Sequence, residues 1–586
     1  MTAGEPLVTC LIDAKIASIS DVLAAWHRSS SERLPLSVVW APRAGRKWES
    51  ASDEEAWTFV GWGAAARVTG RGPERFDEVT AQATSLWRRI RGAESLPFAP
   101  RLFGAFAFNE AEFEEGQSIE HGTSGGGESP LGEGPSEKNG ASRTRQSISS
   151  FGGGAWTEFG PAWFVMPRIA YARSACRAFL VAFVPEREVE AICRALEVLR
   201  REVGPAETDL DKAPPEGGPI SSVAVAKSNF PGVTITALTG DSMPDSHVPV
   251  TNVPFTSVPV SSALVLSSDP AERAYRDLVA RGVREIREGA FGKVVLCRVR
   301  SVERGADIDA ERAVTFLDDR HPACARFLFA EGRARFVGAT PERLVLVRGR
   351  HVFTEALAGS LPRRPGVGDD AARSALLASE KDRAEHAFVV SAIRDALAPA
   401  CETLSIPEAP AVRSLPHVHH LATPIVGVLP ESSATPGGEG SCATDSGAED
   451  RSRRARSALD LAARLHPTPA LCGSPTAAAR AFILENEAQP RGLYGGGAGW
   501  LDANGDGSFG VAIRSALITG REAFIYAGAG IVADSDPDHE LLETIAKERA
   551  MREALDAATT PPPATTPPPA DRETPAKQGA SATEAA

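Results

Sequence analysis

An α+β fold is predicted for this chain of 586 residues. Short apolar runs of four to seven residues recur along both halves, several with period-2 alternation, as strands do. Longer segments with helical spacing lie between them. Stretches rich in Gly, Ser, Pro and charge interrupt the pattern at 114–154, 204–218, about 233–262, 431–453 and beyond 558. These cannot bury enough apolar surface to offset their ordering entropy, so they are expected to be disordered. The expected organisation is an N-terminal α+β half over 1–265 with insertions at about 114–154 and 204–262. A second region follows over 266–557 with an insertion at about 431–453, then a disordered Pro/Thr/Ala-rich tail over 558–586.

In the first half, strands are predicted at 8–12, 36–40, 57–61, 103–108, 163–166 and 178–183. Amphipathic helices are predicted at 73–90 and 186–203. Nothing in this half names a chemistry. The net charge of −13 argues against an electrostatic nucleic-acid binder. Eight cysteines are scattered without Cys-x-x-Cys or zinc-like spacing. The start lacks a basic-then-apolar leader, and no apolar run approaches a membrane span. A cytoplasmic, thiol-containing protein with no membrane attachment is expected.

The second half opens with a helix at 271–288 and the strand Lys293-Val-Val-Leu-Cys-Arg-Val-Arg300. Lys293 shares a face with Val295, Cys297 and Val299. A lysine at a core rim ordinarily snorkels to water; an enclosed amine is a usable base. A meander follows over 326–330, 334–337, 345–347 and 351–357, with Gly338-Ala-Thr-Pro-Glu-Arg-Leu344 at one turn and Ala358-Gly-Ser-Leu-Pro-Arg363 after the last strand. Ser379-Glu-Lys-Asp382 is a capping-box variant that opens a helix to about Leu397. Asp382, Glu385 and His386 lie in its first turns, where carboxylates also suit the helix dipole.

Near the C-terminus, alternation places Arg514 in the middle of a doubly buried strand over 509–518. A buried guanidinium needs an anion, either an internal carboxylate or a bound substrate carboxylate. A second run, Ala523-Phe-Ile-Tyr526, is expected to break at Ala527-Gly-Ala-Gly-Ile531, where glycines let backbone N–H groups approach an anion. The helix from about Asp538 to Leu555 places Glu540, Glu543 and Lys547 on one face. Alone, Glu543 and Lys547 form an ordinary i,i+4 pair.

In order, Gly-Leu-Tyr-Gly-Gly, Val-Ala-Ile-Arg-Ser-Ala, Ala-Gly-Ala-Gly-Ile-Val and Ser-Asp-Pro-x-x-Glu-x-x-Glu-x-x-x-Lys resemble the C-terminal signature of the chorismate-utilising enzymes. That family includes anthranilate, aminodeoxychorismate, isochorismate and salicylate synthases, and the resemblance runs from about Ala271 to Ala557. It implies one large fold with mainly antiparallel sheets in the core and helices outside, the two halves packing as one body. It implies Lys293 as the base that activates water and Glu342 as the general acid. Gly359, Ser360, His420, Ala470, Arg514, Gly528 and Lys547 would contact chorismate, and Glu385 and Glu543 would ligate Mg²⁺, a hard cation suited by two carboxylates, substrate oxygens and water.

Within the family, Leu465-His-Pro-Thr-Pro-Ala-Leu-Cys-Gly-Ser-Pro475 resembles the isochorismate-synthase form, since aminating relatives and salicylate synthases typically carry Thr at the place of Ala470. The resemblance implies Mg²⁺-dependent conversion of chorismate to isochorismate by a monomer with no obligatory glutaminase. Anthranilate or aminodeoxychorismate synthase component I, salicylate synthase and a chorismate-binding sensor are the alternatives. The insertion at 431–453 and the replacement of a commoner Gly by Arg364 and Pro365 depart from the family pattern.

Overall fold

The computed structural model describes residues 5–29, 34–43, 57–113, 156–204, 270–363, 369–414, 418–431 and 457–559. Apart from a few edge residues, the low-complexity insertions and tail lie outside these residues, as do Arg364 and Pro365.

The first half comprises β1 (Leu7–Asp13), α1 (Ile19–Ser29), β2 (Leu36–Ala41), β3 (Thr58–Trp62), β4 (Ala66–Gly70), α2 (Arg75–Trp87), β5 (Ile90–Arg91), β6 (Arg101–Phe106), β7 (Ala162–Met166), β8 (Ile169–Arg173), β9 (Ala178–Pro185) and α3 (Val189–Val203). Strands β2, β3, β6, β7 and β9 are buried at every position, which explains why they read as apolar runs. The second half runs α4 (Pro270–Arg287), β10 (Lys293–Glu303), α5 (Ala310–Arg320), β11 (Ala325–Glu331), β12 (Ala334–Thr340), β13 (Arg343–Arg348), β14 (His351–Pro362), α6 (Asp369–Ala378) and α7 (Glu380–Leu397). It continues with β15 (Thr403–Ser405), β16 (Ala411–Ser414), β17 (Val418–Val428), α8 (Ala458–Leu465), β18 (Gly473–Ser474) and α9 (Thr476–Asn486). The last elements are β19 (Gly497–Asp502), β20 (Gly507–Val511), β21 (Ser515–Thr519), β22 (Glu522–Ile531) and α10 (Pro537–Thr559).

Two large sheets pack face to face. One has twelve strands in the order β18-β10-β22-β21-β12-β11-β2-β3-β8-β9-β1-β5. The other has ten, with β15-β17-β14-β13-β20-β19-β6-β7-β4 as its path and β16 on β17. All pairings are antiparallel except β1 with β5. The two halves share both sheets, because β2 pairs β11 in the first and β6 pairs β19 in the second. Trp57, Phe59, Phe103, Trp163, Phe329, Phe336 and Phe509 belong to one buried cluster drawn from both sheets. Burying a ring of that size contributes roughly 1.5–3 kcal/mol, so this cluster is a major stabiliser of the joined sheets.

Two expectations are corrected here. Arg514 does not sit in the middle of a strand. The chain leaves the second sheet at Val511 and enters the first at Ser515, and Arg514 lies between with φ 53°. Alternation continues through this crossing because both flanking strands are buried. The Ala-Gly-Ala-Gly run does not break a strand either, since β22 pairs β10 continuously from Glu522 to Ile531.

Candidate active site

The site residues gather from separate elements. Lys293, the first residue of β10, donates from Nζ to Glu385 Oε1 of α7 at 2.6 Å. Its side chain is only 14% exposed, so the amine does not snorkel freely to water. Helix α7 starts where it does because the Ser379 hydroxyl accepts from the Asp382 N–H. His386, one residue after Glu385, is buried and bonds the Ala358 carbonyl through Nδ1 at 3.2 Å and Thr423 Oγ1 through Nε2 at 2.7 Å. That imidazole fixes the helix to β14 and β17. Gly359 permits the close fit, with φ +73° and a Cβ there lying only 3.0 Å from that of Asp382. Ser360 pairs with His420 in the β14–β17 ladder.

On α10, Glu543 pairs with Lys547 at 2.6 Å, and Lys547 Nζ also donates to the Gly528 carbonyl at 2.8 Å. The ordinary i,i+4 pair is therefore present, and it is tied to β22. Lys293 reaches the same strand, with Nζ 3.5 Å from where a Cβ on Gly530 would lie. Two Lys–Glu pairs thus sit against β22 at positions two residues apart. A side chain at Gly530 would crowd Lys293, and one at Gly528 would press on the Leu296 carbonyl and the Tyr494 hydroxyl. Burial pushes the Glu543 carboxyl upward, but Lys547, Arg514 and His420 outweigh it and hold it below the ordinary carboxylate range.

Arg514 donates to the Lys547 carbonyl at 3.2 Å and makes no ion pair among the described residues. The internal-carboxylate reading of Arg514 is not realised. Burial pushes its pKa down, with Tyr494, Cys324, Glu543 and Glu342 opposing. Its left-handed backbone is unusual for a bulky residue, an outlier of the kind that gathers at ligand sites.

Glu342 lies in the turn between β12 and β13. Its N–H donates to Thr340 Oγ1 at 3.2 Å and its carbonyl accepts from the Val511 N–H at 3.0 Å. Burial pushes its carboxyl up to about 7; Lys547, Arg413 and Arg514 oppose the rise and Glu355 reinforces it. Such a group can donate a proton near neutral pH. His420 is pushed down to about 4 by burial and by the cations Lys547, Arg514 and Arg413, so it is neutral there, with its ring bonded to the Gly359 backbone. Ala470 and Glu342 line one small cavity with Glu355, Leu465, Thr468 and Val511, whose free space of ≈ 10 Å³ matches about one water.

Several contributors went unnoticed in the sequence. The ion pair Glu355–Arg413 is buried beside Glu342. Arg491 pairs with Glu487 at 2.6 Å and also donates to the carbonyls of Val295 and Leu471, while Glu487 accepts from the Cys297 N–H. This bracket joins β10 to the segment carrying Ala470. The i,i+4 spacing of Glu487 and Arg491 was the only available signal, and it is common on exposed surfaces.

The donor chemistry fits a hard divalent cation. Glu385 and Glu543 keep partly exposed carboxylates, with side chains 34% and 50% exposed, that can turn toward an ion. Among the described residues no group of three or more His, Cys, Asp or Glu is gathered, so other oxygens would have to complete its coordination. Likewise, no helix among the described residues is long and apolar enough to cross a membrane.

The chorismate binding enzyme family model matches residues 251–435 and 450–556. An isochorismate synthase, DhbC, of Bacillus subtilis is 37% identical over 294 residues, which cover 49% of this chain and 68% of that protein. The chain belongs to the chorismate-binding enzyme family. A salicylate-biosynthesis isochorismate synthase of Pseudomonas aeruginosa is 41% identical over 292 residues, 50% of this chain. The matched stretch spans only 56% of that relative's length. A component 1 of anthranilate synthase from Halobacterium salinarum is 35% identical, with coverage of 49% of this chain and 51% of its own. Among solved structures, the menaquinone-specific isochorismate synthase MenF of Escherichia coli superposes with TM-score 0.57 at 21% identity, covering 94% of this chain and 96% of its own. At that identity the likeness speaks to the fold, and it bears out the α+β architecture.

Proposed function

We propose that this chain is an isochorismate synthase that adds water at C2 of chorismate and expels the C4 hydroxyl. The observation that carries the choice within the family is Ala470, whose methyl lines the cavity beside Glu342 together with Leu465 and Val511. A methyl offers ammonia no hydrogen-bond partner. The isochorismate synthases among the relatives support the same reading.

Lys293 deprotonates the attacking water, and Glu342 protonates the departing hydroxyl. Arg514 and Lys547 hold the enolpyruvyl carboxylate, the guanidinium being the better matched of the two to a bidentate carboxylate. Gly359, Ser360 and His420 line the ring, and the backbone at Gly528 holds Lys547 in place. Glu385 and Glu543 would hold Mg²⁺, which when bound supplies positive charge to the ring carboxylate and polarises the conjugated system. Were Glu385 to turn to the cation, Lys293 would lose its present partner and be free to act on water.

The test is product analysis of chorismate turnover with Mg²⁺ in ammonium-containing buffer. Isochorismate is expected, without a glutaminase subunit. Dominant anthranilate or aminodeoxychorismate would overturn the reading, and dominant salicylate at early times would overturn the subfamily alone.

A further inference from the structure

Glu342 is surrounded by charges that the proposed chemistry does not use. Glu355 on β14 and Arg413 on β16 are 9% and 4% exposed and form an ion pair with each other. Glu355 lines the same cavity as Glu342. Arg413 reaches the carbonyl of Pro341, the residue before Glu342, at 3.5 Å, and Arg43 donates to that same carbonyl at 3.3 Å. The peptide that carries Glu342 is therefore gripped from two sides, and a carboxylate stands beside its carboxyl.

An ion pair so deeply buried is a poor stability device, because desolvation roughly cancels the attraction and an apolar pair of the same volume often serves as well. Its placement has a use in the site. Resting on the general-acid role given to Glu342, we propose that Glu355 and Arg413 are positioning residues that seat Glu342 and keep it a proton donor.

The physical account is an opposition of charges. A neighbouring carboxylate disfavours a second negative charge on Glu342, whereas a neighbouring guanidinium favours it. Glu342 is faced by Lys547 from α10, Arg514 from the β20–β21 crossing, Arg413 from β16 and Glu355 from β14. Three cations and one anion of this set bear on it, and Arg343 and Arg43 line cavities beside it as well. His420, paired with Arg413 across the β16–β17 ladder, is neutral near pH 7 and adds no charge. Glu355 is the one anion in this set that resists ionisation of Glu342, and Arg413 is the cation that pairs with Glu355 and holds the Pro341 carbonyl.

The experiment is the pH profile of kcat for chorismate turnover in Glu355→Gln and Arg413→Met, with folding checked by circular dichroism and thermal midpoint. A general acid loses activity as pH rises through its pKa, so the descending limb reports Glu342. Glu355→Gln is expected to move that limb down by about one pH unit or more, and Arg413→Met to move it up. Folded variants whose limbs stay in place, or move the same way, overturn the proposal. Should the single variants not fold, Glu355→Leu with Arg413→Met is measured instead. It removes both opposing charges together with the grip on Pro341. The limb should then lie near the wild-type position with kcat down about tenfold or more, and an unchanged kcat overturns the proposal. Product identity in the same assays separates the two readings. Opposite limb shifts with a product other than isochorismate refute the function and keep the positioning role. Unmoved limbs with isochorismate as product refute the positioning role alone.

Discussion

Replacing Glu548 by alanine tests what holds α10 in register with the site. Glu548 is 1% exposed and takes two guanidiniums, Arg298 at 2.7 Å and Arg300 at 2.8 Å, both from β10. Arg298 also donates to Thr544 Oγ1 at 2.8 Å, one turn earlier on the helix. The two arginines are not equally placed. Arg300 is 27% exposed and has Glu272 at 3.4 Å, so it can turn to water or to that carboxylate. Arg298, with a side chain 6% exposed, has neither route and keeps only a hydroxyl. Breaking a buried pair by removing one partner costs about 3–5 kcal/mol, and here that cost falls chiefly on Arg298. Against a typical total of roughly 5–15 kcal/mol the loss is large.

The assay is urea denaturation followed by circular dichroism, with Arg549→Ala as the control. Arg549 and Glu553 form an exposed i,i+4 pair on the same helix, and its loss is expected to cost no more than about 0.5 kcal/mol. Replacing both partners, Arg298→Met with Glu548→Leu, should cost less than Glu548→Ala alone, because no buried charge is stranded. If Glu548→Ala destabilises no more than Arg549→Ala, the anchoring argument is wrong.

Further outcomes follow from the site. Because Lys293 begins β10 with its amine on Glu385, Lys293→Ala should lose several orders of magnitude in chorismate turnover while remaining folded; near-normal turnover of the folded variant would remove it as the base. Since Glu385 and Glu543 are the proposed ligands, excess EDTA should abolish turnover and Mg²⁺ restore it, with Glu385→Gln and Glu543→Gln needing more Mg²⁺; full activity in EDTA would end the metal assignment. Asp502 is pushed up to about 7 by burial and the adjacent Asp506, above its unfolded value of 3.8. The folded state therefore holds a proton that the unfolded state has released between those values, and stability falls as pH rises from about 4 to 7. Asp502→Asn should accordingly gain stability over the native protein across that window, and a gain equal at pH 4 and pH 8 would contradict the sign.

What could be read in the sequence depended on how local its cause was. The start of α7 was legible because Ser379 and Asp382 cap within one turn, and the outward face of α10 because Glu543 and Lys547 are neighbours by helical spacing alone. The helical spacing of α1 is also present, at Ile19, Val22, Leu23 and Trp26, all buried. The bend at Arg514 was not legible. Positive φ is signalled by glycine in most chains, and here an arginine adopts it between two buried strands whose alternation runs on unbroken. The pairing of Lys293 with Glu385 joins residues 92 apart, and that of Glu355 with Arg413 residues 58 apart. Such pairs depend on sheet order, which single residues do not encode. Family resemblance supplied the candidates that physics alone left open, and it assigned no role to Glu355, Arg413 or His386.

The two lysines of the site share one support. Lys293 begins β10, and five residues later Arg298 of the same strand grips Thr544 and Glu548 on α10. Thr544 and Glu548 each follow Glu543 and Lys547 by one residue, so the helix buries one face against β10 and turns the neighbouring face toward the cleft. Strand β22 lies against β10 over ten residue pairs and accepts Lys547 at Gly528. The proposed base, metal carboxylate and anion-binding lysine are thus mounted on a strand–strand–helix unit whose internal contacts are buried and charged. Chorismate is a dianion, and a site that receives it must hold cations apart at fixed spacing against their mutual repulsion. Glu548 and Glu487, buried and paired with Arg298, Arg300 and Arg491, anchor the supporting strand and helix without occupying the cleft. Arg514 makes no ion pair with a carboxylate among the described residues, and in the proposed reading an internal anion there would compete with the substrate for the guanidinium.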